Sequence, residues 1–303
     1  MKKVFVVTVN YNTEYDTKNL LKSFEKIHTS GFSVDIIIVD NNSTNPFSLS
    51  ENEKKETITL IRLDKNTGFV GGYNAGIKEA LKRHADYIMI VNNDTIMDPN
   101  MIKNLLEVLD SDPKIGVTTP KIYFAKGHEF HKDRYTQEEL GKVFWFAGGY
   151  MDWNNVISLH RGVDEVDHGQ YDKIEKTDFA SGCCMLFKRE VLEKVGLFDE
   201  RYFLYYEDAD LNQRIEKAGY AIYYVPTAVL VHINASSSGG AGNKLHDYYL
   251  TRNQMLFGMT YAPFKTKFAL LRQSLRLLFT GRPYQKQAIR DYYLGRLGKG
   301  TYI

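Results

Sequence analysis

The sequence predicts an α/β protein with a mostly parallel central sheet, followed by a C-terminal helical extension. Two observations predict the sheet. In the first half, short apolar runs alternate with segments whose apolar residues recur at helical spacing, and polar turn residues follow the runs. A third observation predicts the extension, because beyond Asn243 the pattern is helical and rich in Lys and Arg. The chain therefore divides into residues 1–242, the α/β unit, and residues 243–303, a basic amphipathic helical extension.

The first unit opens with the apolar run Val4 to Val9, then Leu20, Leu21, Phe24 and Ile27 at helical spacing, which makes a βα pair. Strand-like Val34 to Val39 closes on the polar turn Asp40-Asn41-Asn42-Ser43-Thr44, and a third run spans Ile58 to Leu63. A glycine-bearing loop, Asn66 to Gly72, leads into a helix carrying Ile77, Ala80 and Leu81. Tyr87 to Val91 is the next short apolar segment and ends at Asn92-Asn93-Asp94. Asp98 before Pro99 has the form of a helix cap and first turn, with Ile102, Leu105, Leu106 and Leu109 as the apolar face, and strand-like Gly116 to Thr119 follows. Between Tyr123 and Lys176, glycines, aromatics and charges mix without period, which predicts long loops and short hairpins. Order returns with Phe179 to Lys188, helices at Arg189 to Val195 and Asp210 to Ala218, and a strand at Ala221 to Val225. In the extension, Phe264, Phe268, Leu271, Leu275 and Leu278 share one helical face beside a basic stripe of Lys265, Arg272 and Arg276; Gly281 and Pro283 end that helix.

At 303 residues and 43% hydrophobic composition the chain can bury one large core, which excludes a disordered polymer. No apolar run reaches the ~18 residues that a bilayer span needs. The two cysteines, Cys183 and Cys184, are adjacent, which suits neither a disulfide framework nor the spaced ligand pairs of a zinc site. A cytoplasmic protein with two small buried thiols is the expectation. The net charge of +2 conceals an asymmetry, since Lys265 to Ile303 holds nine Lys/Arg against one acid, Asp291, and so carries +8, leaving −6 for the rest. Such a tail predicts contact with an anionic surface. A membrane is preferred to nucleic acid, since no nucleic-acid-binding motif accompanies the charge.

Parallel α/β sheets bind ligands beyond the carboxyl ends of their strands. Four such positions converge on one edge: Asn10-Tyr11-Asn12, Asp40, the glycine loop and Asn92-Asn93-Asp94. An aromatic face can stack on a nucleobase, a carboxylate can accept a base N–H, and backbone amides can meet phosphate. Asn and Asp are also ordinary turn formers. Gly68, Gly71, Gly72 and Gly76 fit neither a dinucleotide fingerprint nor a phosphate loop, which disfavours a simple dehydrogenase or ATPase. A diphosphate bound without a phosphate loop calls for a divalent cation; Asp94 offers a hard oxygen ligand, and His232, after strand-like Ala228 to Val231, a nitrogen that would suit Mn2+ better than Ca2+. The acids Glu207, Asp208 and Asp210 lie between the aromatic run Tyr202 to Tyr206 and a helix. There they would stabilise the helix N-terminus by ~0.3–1 kcal/mol each. Aromatic walls would also raise a carboxylate pKa toward the range of a general base.

Taken together, VTVNYN, IIIVDNNST, NTGFVGGYNAGI, IVNNDT, DFASGCCMLFKREVLEKVGLFDERYFLYYEDADLNQRIEKAGY and VPTAVLVH resemble the family 2 glycosyltransferases, particularly their bacterial rhamnosyltransferase-like branch. The resemblance runs in this order from about Val4 to Arg252. It implies a GT-A fold and transfer of one sugar from a nucleotide-diphosphate donor, with inversion by direct displacement and with Mn2+ or Mg2+ as cofactor. By position, Val9, Asn10 and Tyr11 would hold the nucleobase and Asp40 would accept its imide hydrogen. Asn66, Gly71, Asn74 and Asn93 would line the nucleotide pocket. Asn92-Asn93-Asp94 stands where the family has its Asp-x-Asp metal motif, so Asp94 would be the main ligand and His232 a second, with Asn92 replacing the first acid. Asp208 would be the catalytic base, with Glu207 and Asp210 orienting acceptor or base. Ser181 and Gly182 would face the donor sugar; Trp145, Phe146, Gly148 and Tyr206 would shape the sugar or acceptor pocket.

The branch favours dTDP-rhamnose as donor and a saccharide or lipid-linked saccharide as acceptor, in surface polysaccharide assembly. A UDP-hexose or UDP-galactofuranose transferase of the same fold and a non-catalytic sugar-nucleotide-binding protein stay open. A sugar nucleotidyltransferase is disfavoured, because Asn10 to Thr13 is a short uncharged loop where that class has a glycine-rich basic one. The basic extension would place the protein on the inner face of the cell membrane as a peripheral enzyme, or else cap the domain as packed helices.

Overall fold

The structure is a computed structural model that describes residues 1–233 and 243–302. Residue 242, the predicted end of the first unit, lies outside the described residues. The chain opens with β1 (Lys2–Asn10), α1 (Glu14–Phe24), β2 (Phe32–Asp40), β3 (Ile58–Arg62), α2 (Gly68–Lys82) and β4 (Tyr87–Val91). It continues through β5 (Thr95–Met97), α3 (Met101–Ser111), β6 (Ile115–Phe124), β7 (Phe144–Phe146), β8 (Gly149–Asp152), β9 (Ile157–His160) and β10 (Glu175–Lys176). Then come β11 (Cys184–Lys188), α4 (Arg189–Val195), α5 (Glu207–Lys217), β12 (Ala221–His232), α6 (Lys244–Tyr261), α7 (Phe264–Thr280) and α8 (Pro283–Tyr293).

Strands β3, β2, β1 and β4 lie side by side and parallel. Val4, Val6, Val7, Ile37, Ile38, Ile90 and Val91 are wholly buried, as central strands covered on both faces require. Antiparallel β11 follows β4, then β6, with β12 parallel to it and short β10 at the edge. The mostly parallel sheet is thus as predicted, and β8 and β9 form a separate hairpin in the segment read as loops and hairpins.

Three local expectations change. The glycine loop is in fact the start of α2, which begins at Gly68. Its glycines let the helix approach the sheet, since a Cβ on Gly72 would come within 2.9 Å of Val9, and one on Gly76 within 2.3 Å of Val7. The runs read as Ala221 to Val225 and Ala228 to Val231 are one strand, with a register shift around Pro226 that absorbs the missing N–H. Helix α3 starts two residues later than predicted; Asp98 Oδ1 accepts from the N–H of Asn100, which occupies the cap position.

The C-terminal helices pack against one another, and α6 also binds the first unit. Arg252 and Asn253 of α6 are fully buried and bond backbone carbonyls between residues 201 and 205, so the extension is built into the same core. On α7 the buried residues are Thr266, Leu270 and Ser274. Most of the predicted apolar face turns the other way, toward solvent.

Candidate active site

The turn that enters α5 is unusual at the backbone level. Phe203, Tyr205 and Tyr206 all have positive φ, at 66°, 67° and 70°, a region that aromatic residues avoid. The surroundings over-determine it. Asn253 Nδ2 lies 2.8–2.9 Å from the carbonyls of Tyr202, Leu204 and Tyr205, and Arg252 reaches Tyr202 at 2.9 Å. Gly68 has no room for a side chain, because a Cβ would stand 2.4 Å from the Phe203 carbonyl.

This turn delivers Glu207 and Asp208 at the start of α5. Asp208 accepts from the N–H of Gly182 at 3.0 Å and from its neighbour Ala209 at 2.8 Å. Burial raises its pKa above the ordinary carboxylate value, with those N–H donors partly opposing. Glu207 is buried, and its Oε2 has no partner. Burial first, and the charge of Asp208 second, push its pKa well up. Asn212, one turn further on, donates to the carbonyl of Ala180 at 2.8 Å and ties α5 to the Ser181-Gly182 turn.

A second cluster forms where β5 pairs antiparallel with β12, in the register Thr95 to His232. That pairing brings His232 Nε2 to 3.2 Å from Asp94 Oδ1, with both side chains nearly buried. Asp94 Oδ1 and the other ring nitrogen, His232 Nδ1, have no hydrogen-bond partner. A buried carboxylate oxygen lacking a donor, facing an imidazole nitrogen, fits a divalent cation with oxygen and nitrogen ligands. Among the described residues no third His, Cys, Asp or Glu joins them, so the remaining ligands would come from substrate or water. Asn92 accepts from the Tyr73 hydroxyl at 3.1 Å and contributes no charge.

Both clusters reach one cavity of about 900 Å³, the first through Glu207 and Asp208 and the second through His232. Of the residues singled out in the sequence, Asn92, Trp145, Ser181, Gly182, Tyr206, Glu207, Asp208 and His232 line it. Phe69, His160, Phe179 and, from the C-terminal helices, His246, Gln254 and Leu277 complete the wall. His160 had no signal in the unpatterned segment where it lies. Its ring meets Trp145 edge-on at 4.5 Å, and Trp145 meets His232 at 4.7 Å. Burial lowers the His160 pKa to about 4, so the ring is neutral near pH 7; the Trp145 carbonyl can only accept, which puts the hydrogen on Nδ1 and leaves Nε2 as an acceptor.

Other predicted residues lie beyond the cavity at the ends of β1, β2 and β3. Tyr11 is 46% exposed and free to stack, beside half-buried Val9. Asp40 is buried, and its oxygens accept from Asn10, Ser43, Phe47 and Arg62. Burial opposes its charge, but the bonds from Ser43, Phe47 and Asn10 outweigh that and lower its pKa. Asn10 also accepts from Thr17 at 2.9 Å, Asn66 accepts from the N–H of Gly68 at 2.8 Å, and Asn93 donates to Thr13 and Thr17 at 2.7 and 2.8 Å. These amides order the strand-end loops. Gly71 faces Thr67 inside α2.

Four more of the predicted residues lie outside the cavity. Asp210 is buried and bound by Arg214 at 2.8 Å and Tyr261 at 2.8 Å, so it anchors α5 to α6 and does not reach the cavity. Asn74 exchanges both amide bonds with the backbone of Phe198, which joins α2 to the loop after α4. Gly148 packs against Arg161, and Phe146 is a core residue; neither lines the cavity.

The family model "Glycosyl transferase family 2" matches residues 5–196. The chain is 26% identical over 219 residues, 68% of each chain, to an N-acetylglucosaminyl-diphospho-decaprenol L-rhamnosyltransferase of Mycobacterium tuberculosis. It is 23% identical to the dTDP-rhamnosyl transferase RfbF of Shigella flexneri over 262 residues, 84% of this chain and 79% of that one. Among solved structures it shares the fold of GalNAc-T7, crystallised with UDP, GalNAc and Mn2+, at TM-score 0.64 and 16% identity; the match covers 95% of this chain but only 54% of that one. S. aureus TarS 1-349 matches at TM-score 0.55 and 13% identity, over 96% of this chain and 79% of that one. The fold is thus GT-A, and the chain belongs to glycosyl transferase family 2 and is a glycosyltransferase.

Proposed function

We propose that this protein is an inverting, metal-dependent glycosyltransferase that moves one sugar, best matched by rhamnose from dTDP-rhamnose, onto a saccharide or lipid-linked saccharide. The observation that carries the chemistry is that Asp208 and His232 line one cavity, with Asp94 set 3.2 Å behind the His232 ring nitrogen. Asp208 takes the proton from the acceptor hydroxyl as that oxygen attacks the anomeric carbon. The sugar–phosphate bond breaks on the opposite side, so the anomeric centre inverts and the nucleoside diphosphate leaves with the electron pair. Asp94 and His232 would hold a divalent cation, which when bound supplies charge stabilisation to the leaving diphosphate. Gly182 fixes the orientation of the Asp208 carboxylate through its N–H. Tyr11 would stack on the nucleobase, and a base N–H would compete with Arg62 for Asp40.

The donor assignment rests on the two rhamnosyltransferase relatives. Release of nucleotide from dTDP-rhamnose, UDP-glucose, UDP-N-acetylglucosamine and UDP-galactofuranose, each with Mn2+ or Mg2+, tests it. Turnover with dTDP-rhamnose above the other donors is expected; preference for a UDP-sugar would transfer the assignment to the alternative donor class. No turnover with any donor, despite binding, would leave a sugar-nucleotide-binding protein.

A further inference from the structure

We propose that the outer face of α7 is a docking surface for an anionic lipid bilayer, holding the mouth of the cavity at the headgroups. Phe264, Phe268, Leu271, Leu275 and Phe279 recur at helical spacing along the solvent side of α7, and Phe264, Phe268 and Phe279 are 86%, 67% and 81% exposed. A stripe of large apolar side chains in water, five along one helix, is a strong mark of an interaction face. Its edges identify the occupant. Lys265, Arg272 and Arg276 are exposed along one edge, Lys267 lies on the other, and α7 carries no acid. Among the described residues none of these four bases forms an ion pair, whereas Arg282 and Arg296 of the same extension pair with Asp247 and Asp291. An apolar stripe rimmed by unpaired cations matches acyl chains beneath anionic headgroups; a protein partner would require acids to answer both edges.

The opposite side of α7 gives the docking a purpose. Gln273 and Leu277 line the cavity, so the helix that would lie in the membrane surface is also a wall of the catalytic pocket. A lipid-linked acceptor could then present its sugar to Asp208 without leaving the bilayer; this consequence rests on the function proposed above, but the docking does not. No described helix is long and apolar enough to cross a membrane, so α7 would lie along the surface.

Co-sedimentation of the 303-residue chain with phosphatidylcholine vesicles, with and without phosphatidylglycerol, tests this. Binding only to the anionic vesicles, weakening as salt rises, is expected. F264S/F268S/F279S should lower the partition coefficient at least about tenfold, and K265Q/R272Q/R276Q by roughly fivefold per residue removed. These side chains are exposed and lie outside the cavity, so both variants should keep their melting temperature and their nucleotide release from a soluble donor. Docking and transfer can therefore fail independently. An intact chain that stays in the supernatant, or variants that bind like wild type, would overturn the proposal. A lipid-free dimer that F264S/F268S/F279S dissolves would assign the face to a second copy instead.

Discussion

The backbone N–H of Gly182 donates to Asp208 Oδ2 at 3.0 Å, and a Cβ at residue 182 would stand 3.0 Å from the Phe69 ring and 3.4 Å from that same carboxylate oxygen. The glycine therefore gives Asp208 both a donor and the space to receive it. Asp208→Asn keeps the shape and removes the base. Its expected result is a loss of roughly 10²–10⁴-fold in kcat with donor affinity unchanged by calorimetry. Near-normal turnover would remove Asp208 from the role.

A base acts only when ionised, so turnover should rise with pH through the Asp208 pKa, which burial sets above its ordinary 3.8. Glu207→Gln keeps the shape beside Asp208, so transfer and its acid limb should persist in that variant. If Glu207 were the base, the same variant would abolish transfer. Stability gives an independent readout. The raised Glu207 pKa contributes stability that is complete below its ordinary 4.5 and is lost as pH climbs through the raised value. The permanently neutral Gln escapes that loss, so thermal melts at alkaline pH should favour the variant over wild type.

Asp94 and His232 make a two-residue site, and two protein ligands bind a cation weakly unless substrate oxygens complete the shell. Mn2+ titrated into the protein alone should therefore bind loosely, and the nucleoside diphosphate should tighten it. Asp94→Ala should abolish the Mn2+-dependent gain in nucleotide affinity and leave the metal-free affinity in place. Equal nucleotide affinity with and without Mn2+ in the unaltered chain would remove the metal from this site.

The sheet was legible because Val4 to Val9, Val34 to Val39 and Tyr87 to Val91 are apolar runs with nothing else to become. Asn10 and Asp40 stand at the carboxyl ends of two of them, and Asn92 directly follows the third. What sequence spacing alone could not supply is pairing. Strand β5 is three residues long, below any periodic signal, yet its register with β12 is what sets Asp94 against His232. The glycines of α2 read as a loop because glycine disfavours helices by ~1 kcal/mol per residue. Tertiary contact with Val7 and Val9 overrides that preference. Asp210 carried a missed clue, since Arg214 four residues on is the ordinary spacing for a helical ion pair. His160 had none, because β8 and β9 place it by hairpin register within an unpatterned stretch.

The C-terminal helices should matter to catalysis through Asn253, whose amide reaches three carbonyls of the strained aromatic turn. Asn253→Ala would leave buried carbonyls unpaired, at a cost of ~1–3 kcal/mol in stability by chemical denaturation. A purely structural role would end there. If Asn253 also positions Asp208, through the left-handed backbone of Tyr205 and Tyr206 that precedes it, the folded variant should lose kcat while keeping nucleotide affinity. The acceptor KM should shift less than kcat, because the turn carries the base more directly than it carries the pocket wall. A destabilised Asn253→Ala enzyme with wild-type kcat at a temperature where it is fully folded would show that the turn holds its shape without α6.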